Sequence, residues 1–112
     1  PAPAPGVPEG FTRAVRRTEL VPGQLREVLV NGRPVAVALV GETVHAVEGT
    51  CPHAGGPLAE GILDGTTLTC PMHGWSFDIV TGSCHVNPED RIGILRVLVV
   101  EGVVYVADGV AS

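Results

Sequence analysis

From residue 25 onward, apolar and polar positions alternate in short runs, and most runs end at a turn signal. Leu25-Arg26-Glu27-Val28-Leu29-Val30 alternates imperfectly and stops at Asn31-Gly32, a pair favoured in two-residue type I′ hairpin turns. Pro34 to Val40, rich in β-branched valine, reads as the return strand, and Gly41-Glu42 turns the chain into Thr43 to Val47. Near the end, Ile94 to Val100, the turn Glu101-Gly102 and Val103 to Val106 repeat the pattern. These runs are too short and too β-branched for helices, and 15 glycines and 10 prolines punctuate the chain. No amphipathic period of about 3.6 residues persists beyond one or two turns. The pattern predicts an all-β, antiparallel fold, a small sandwich or barrel, with no internal repeat and no second domain.

The middle of the chain breaks this rhythm. Cys51-Pro52-His53-Ala54-Gly55-Gly56-Pro57 and Cys70-Pro71-Met72-His73-Gly74-Trp75 are two loops of similar build. Each carries one Cys and one His, with Pro directly after the Cys and Gly after the His. Between them, Glu60 to Thr69 reads as a hairpin with Asp64-Gly65 at its turn. Proline stiffens such loops and removes a donor, while glycine allows unusual dihedrals and close backbone approach to a cofactor. Two thiolates and two imidazoles suit zinc or an iron–sulfur centre. Structural zinc sites usually separate paired ligands by about two to four residues. The first pair here is Cys-x-His and the second Cys-x2-His, an asymmetry uncommon in zinc fingers.

Composition and charge narrow the setting. A chain of 112 residues fits one domain, and its 45% apolar content contains no stretch approaching the ~20 residues that span a bilayer. Residues 1–10 are expected to form an extended, loosely held Pro-rich tail, with a single domain over 11–112. The opening Pro1-Ala2-Pro3-Ala4-Pro5-Gly6 has neither the charged start nor the apolar middle of a signal peptide, which leads to the expectation of a cytoplasmic protein. Net charge is −5. Pro1 to Arg33 carries five arginines against Glu9, Glu19 and Glu27. From Pro34 to Asp90 there is no Lys or Arg, while Glu42, Glu48, Glu60, Asp64, Asp78, Glu89 and Asp90 contribute −7. Such an acidic stretch argues against nucleic acid or an anionic membrane, and would steer a basic protein patch.

The motif Cys-x-His-x16-Cys-x2-His, with its trailing His-Gly, resembles the signature of Rieske iron–sulfur proteins. The resemblance extends to the flanking strands, the Phe77-Asp78 step and the Thr81-Gly82 turn. It implies a Rieske-like antiparallel sandwich or barrel with a cluster-binding subdomain at about 49–88, made of the two ligand loops. It also implies one 2Fe–2S cluster per chain: Cys51 and Cys70 on the inner iron through sulfur, and His53 and His73 on the outer iron through a ring nitrogen. Two ferric ions, two sulfides and two thiolates sum to zero charge, so this ligand set raises the potential to about −150 to +300 mV, against about −400 mV with plant-type ligation.

The respiratory branch of the family has a disulfide between its ligand loops, whose cysteines would fall at Gly56 and Met72. It also has two hydroxyls bonded to sulfur, at positions held here by Trp75 and Phe77. Their absence predicts a potential at the low end of the range and points to the ferredoxins that feed bacterial oxygenases. The resemblance therefore implies a single-electron carrier, not an enzyme, working as a monomer between a flavin-dependent reductase and a terminal oxygenase. The alternatives are a small Rieske subunit of a larger reductase, such as the nitrite reductase type, and a zinc-binding structural module. Cys84, His45 and His85 are expected to be ordinary, Trp75 and Phe77 to serve as core and shield, and Pro57 to stiffen its loop. Pro88 resembles the proline of a third loop covering the cluster, although the family usually has Gly where this chain has Asn87.

Overall fold

The computed structural model describes residues 6–110 apart from His53, Ala54, His73 and Pro88. Nine strands form among the described residues: β1 (Phe11–Arg16), β2 (Leu25–Val30), β3 (Arg33–Val40), β4 (Thr43–Glu48), β5 (Ile62–Asp64), β6 (Thr67–Thr69), β7 (Ser76–Asp78), β8 (Ile94–Val100) and β9 (Val103–Val110). They make a six-stranded sheet in the order β1-β9-β8-β4-β3-β2 and a three-stranded sheet in the order β5-β6-β7. All pairings are antiparallel. The larger sheet curls until its edge strands β1 and β2 approach each other, giving the nearly closed barrel that the sequence pattern predicts. Of the expected N-terminal tail, residues 1–5 lie outside the described residues, and Val7 is buried.

The hairpin turns form where the residue types demand. Asn31 and Gly32 both take positive φ (52° and 78°), as do Glu101 and Gly102 (50° and 76°), which is the backbone of type I′ turns. The β5–β6 turn is a correction. Asp64 pairs with Thr67, so the turn residues are Gly65-Thr66, one position later than the Asp64-Gly65 turn expected. Gly65 takes φ +60° while Asp64 stays in the strand. A turn with glycine at its first central position lets the strand keep Asp64.

Strand β3 explains how the two sheets are joined. Val35 to Leu39 is buried without interruption, because both faces of the strand are covered. Val35, Val37 and Leu39 point into the barrel with Val28, Val30, Val104 and Val106. Ala36 and Ala38 point the other way, into a second core with Val47, Leu58, Leu68, Phe77 and Ile79. Small alanines on that face let the three-stranded sheet sit close to the barrel wall.

Candidate metal centre

The first loop leaves β4 at Gly49. Its N–H donates to Pro34 O at 3.0 Å, and a Cβ there would meet the Pro34 carbonyl carbon at 2.8 Å, so only glycine fits. The second loop joins β6 to β7. The two loops fold by the same rule. Cys51 N–H donates to Gly56 O at 2.8 Å, and Cys70 N–H donates to Trp75 O at 2.7 Å, five residues on in both cases. Gly55 N–H returns to Cys51 O at 2.8 Å, and Gly74 N–H returns to Cys70 O at 3.2 Å. Gly55 and Gly74 occupy matching positions with φ of +73° and +71°, a conformation that glycine adopts at little cost. The two cysteines are thus presented by a duplicated backbone device, although the histidines sit at different offsets in the sequence.

The loops also touch. A Cβ on Gly56 would lie 2.3 Å from Met72 Cγ, so the side chain of the second loop covers the backbone of the first. Positions 56 and 72, where the resemblance places the respiratory-branch disulfide, are neighbours here and carry no cysteine.

Cys51 and Cys70 are 1% and 2% exposed, and both belong to the second core. No disulfide forms among the described residues, so two buried thiols share one apolar cluster. His53 and His73 lie outside the described residues, as does Pro88. No group of three or more metal-binding side chains assembles among the described residues, which leaves the two thiols as the described donors. Two soft sulfur donors without a disulfide, on mirrored loops in contact, fit an iron–sulfur group.

A family model, the Rieske 2Fe–2S domain, matches residues 11–99. The chain belongs to that family. Ferredoxin CarAc of Metapseudomonas resinovorans is 41% identical over 92 residues, 80% of this chain and 86% of that protein. A solved complex of reduced oxygenase and oxidised ferredoxin in carbazole 1,9a-dioxygenase contains a chain that superposes with TM-score 0.85 at 36% identity, covering 94% of this chain and 99% of that one. A protein assigned as the small subunit of an NADH-dependent nitrite reductase from Mycobacterium tuberculosis superposes with TM-score 0.81 at 29% identity, covering 91% and 96%. The cofactor of this Rieske domain is a 2Fe–2S cluster, so the structural-zinc alternative falls away.

Other residues of the Rieske domain take definite places. Phe77 is fully buried beneath the loops, and Trp75 is partly buried against the same core. Pro57 pairs with Thr50 in an isolated bridge that closes the first loop. His85 Nδ1 lies 3.0 Å from Ser76 Oγ. Sequence reasoning did not foresee the side-chain network of Asn87, whose oxygen accepts the Glu89 N–H at 3.2 Å and whose nitrogen donates to Asp90 Oδ2 at 3.0 Å. Its one sequence signal is the Asn-x-x-Asp spacing, since Asn readily caps its own downstream backbone.

His45 on β4 sits where the barrel meets the small sheet. Burial holds its pKa below the ordinary 6.5, and the carboxylate of Asp78 offsets this only in part. A histidine harder to protonate when folded contributes its full stability above the ordinary value and loses it as pH falls below. His45→Gln should therefore flatten the decline of stability below about pH 6.5, compared with the parent protein in urea melts across that range.

Proposed function

We propose that Cys51, His53, Cys70 and His73 hold one 2Fe–2S cluster per chain, the cysteines through sulfur and the histidines through a ring nitrogen. The matched loop geometry at Cys51 and Cys70 carries this reading. The bound cluster supplies a site that gains and loses one electron. The chain provides the rest: two thiolates sequestered from water, a phenyl ring that seals the core behind them, and two loops fixed by backbone bonds so that little rearranges on electron transfer. A cluster-binding subdomain over about 49–88, set on a single domain spanning 11–112, follows from this assignment.

The protein is an electron-transfer component, not a catalyst acting on its own substrate. It carries single electrons from a flavin-dependent reductase to a terminal oxygenase, as its likeness to CarAc and to the ferredoxin of the carbazole dioxygenase complex supports. The surface suits transient partners. Pro52, Pro71 and Met72 are exposed on the loops, and the chain carries a net charge of −5. Among the described residues no helix is long and apolar enough to cross a membrane. A cytoplasmic monomer completes the proposal. Likeness to the nitrite reductase small subunit favours a second reading, membership of a larger reductase.

Low-temperature EPR of the dithionite-reduced protein should give the rhombic signal of mixed His/Cys ligation, with a potential at the low end of about −150 to +300 mV. An EPR-silent protein holding zinc would overturn the cluster assignment. Stopped-flow oxidation by a terminal oxygenase of the carbazole type should be second order and should slow as salt rises, since exposed charges steer encounter. A rate unchanged by salt would remove electrostatic steering from the account.

A further inference from the structure

The chain carries three cysteines and one methionine, and the structure treats these sulfur atoms in two ways. Cys51, Cys70 and Cys84 are 1%, 2% and 4% exposed, each sealed in the second core. Met72 is 55% exposed and stands in the second loop, shortly after Cys70. Its side chain nevertheless packs on something. A Cβ on Gly56 would collide with Met72 Cγ and lie 3.2 Å from its Sδ, so the thioether rests on the first loop. Gly56 is buried, and its carbonyl accepts the N–H of Cys51 at 2.8 Å. The one sulfur-bearing side chain open to solvent is therefore also the one that covers the residue closing the Cys51 loop.

We propose that Met72 is a modification site, a peroxide-sensitive switch on electron delivery: oxidation of its thioether to the sulfoxide parts the two loops and weakens docking to the oxygenase. This rests on the reading of the chain as a carrier that feeds an oxygenase. Reduction of O2 by two electrons and two protons gives hydrogen peroxide, so such a carrier works where that oxidant arises. In the step itself, an S–O bond forms as the peroxide O–O bond breaks, and sulfur gives up two electrons. The departing hydroxide takes the proton of the transferred oxygen and leaves as water. A thioether needs no ionisation to react, so access selects Met72 over the three buried thiols. The new oxygen is a strong acceptor with no place against buried Gly56, and the side chain turns out to water. Gly56 is then uncovered, and the apolar surface that Met72 shares with exposed Pro52 and Pro71 becomes polar. A methionine sulfoxide reductase reverses the change, oxidising two thiols to a disulfide and releasing the oxygen as water.

The test uses the full chain carrying its cluster, with hydrogen peroxide as oxidant and rates normalised to the visible absorbance that remains. Intact mass and peptide mapping should place one added oxygen on Met72 at a dose that leaves the absorbance unchanged. The oxidised protein should reduce a terminal oxygenase of the carbazole type about tenfold more slowly, the change that loss of one apolar contact at an interface produces. Amide exchange in the peptide containing Cys51 should quicken as well, because the cover over Gly56 is gone, and this readout needs no partner. A methionine sulfoxide reductase with dithiothreitol should restore mass, exchange and rate. Met72→Leu, close in volume and without sulfur, should keep its rate after the same treatment. Met72→Gln should be slow with no peroxide added. Bleaching that precedes oxygen gain at Met72 would overturn the proposal, as would parent rates and exchange in the oxidised protein or in Met72→Gln. A parent protein without iron or EPR signal would instead fail the cluster assignment, and an iron-loaded parent that never reduces the oxygenase would fail the carrier reading.

Discussion

Replacing Cys51 or Cys70 by serine should give protein that purifies without iron, whereas Cys84→Ser should retain it. All three cysteines are buried in one core, so burial alone does not distinguish them. The backbone does. Cys51 and Cys70 each start a loop closed by bonds to the fifth and from the fourth residue beyond, and Cys84 starts no such loop. A cysteine with an ordinary pKa of about 8.5 yields a thiolate readily beside a metal, and sulfur is the soft donor that iron–sulfur clusters require. Serine offers a hard oxygen that stays protonated near neutral pH. At 1–2% exposure it also costs roughly 1–3 kcal/mol if no partner reaches it. Metal analysis and visible absorbance check the outcome. His53→Ala and His73→Ala should likewise yield little intact cluster. A Cys70→Ser protein with full iron content would remove that residue from the ligand set.

Much of this site is legible in the sequence because its information is local. Asn31-Gly32 announces its turn through two residues that tolerate positive φ, while at Glu101-Gly102 only the glycine does so and Glu101 is carried into positive φ with it. The spacing of Cys51, His53, Cys70 and His73, with a glycine one or two residues after each histidine, points to the chemistry before any coordinates are known. What stays hidden depends on distant contacts. Glu60 to Thr69 reads as a hairpin and folds as β5 and β6, one position off at the turn, whereas β7 has three residues, too few to display a period, and its existence rests on pairing with β6 and on the core beneath it. Strand β1, Phe11–Arg16, pairs with β9 from the far end of the chain and slips register between Arg13 and Val15. The two-sided burial of Val35 to Leu39 gives an unbroken apolar run that looks the same whichever face meets the three-stranded sheet. Asn87 is visible as a departure from the family pattern, but its bonds to Cys84, Glu89 and Asp90 appear only when the segment is folded.

The division into two cores sets up a second large effect. Phe77→Ala should uncouple the second core, with its three-stranded sheet and two cysteine loops, from the barrel. Phe77 is 0% exposed, the largest fully buried side chain among the described residues, and belongs to the core that holds Cys51, Cys70 and Cys84. The barrel has its own core of Val15, Val28, Val37, Leu39, Val104 and Val106, which Phe77 does not join. Truncating a buried phenylalanine costs about 3–5 kcal/mol, against a total stability of about 5–15 kcal/mol for a domain of ordinary size. The loss falls on β7, a three-residue strand held by a single neighbour, β6, and by the Phe77–Cys84 bridge. Both the second loop, which ends at β7, and Cys84, which bridges to Phe77, lose their support together. The visible absorbance of Phe77→Ala should therefore melt well below the far-UV circular dichroism signal of the barrel strands, whereas in the parent protein the two should melt much closer together. Coincident melting in the variant would mean that the cores unfold as one unit, with β3, apolar on both faces, transmitting the loss from one to the other.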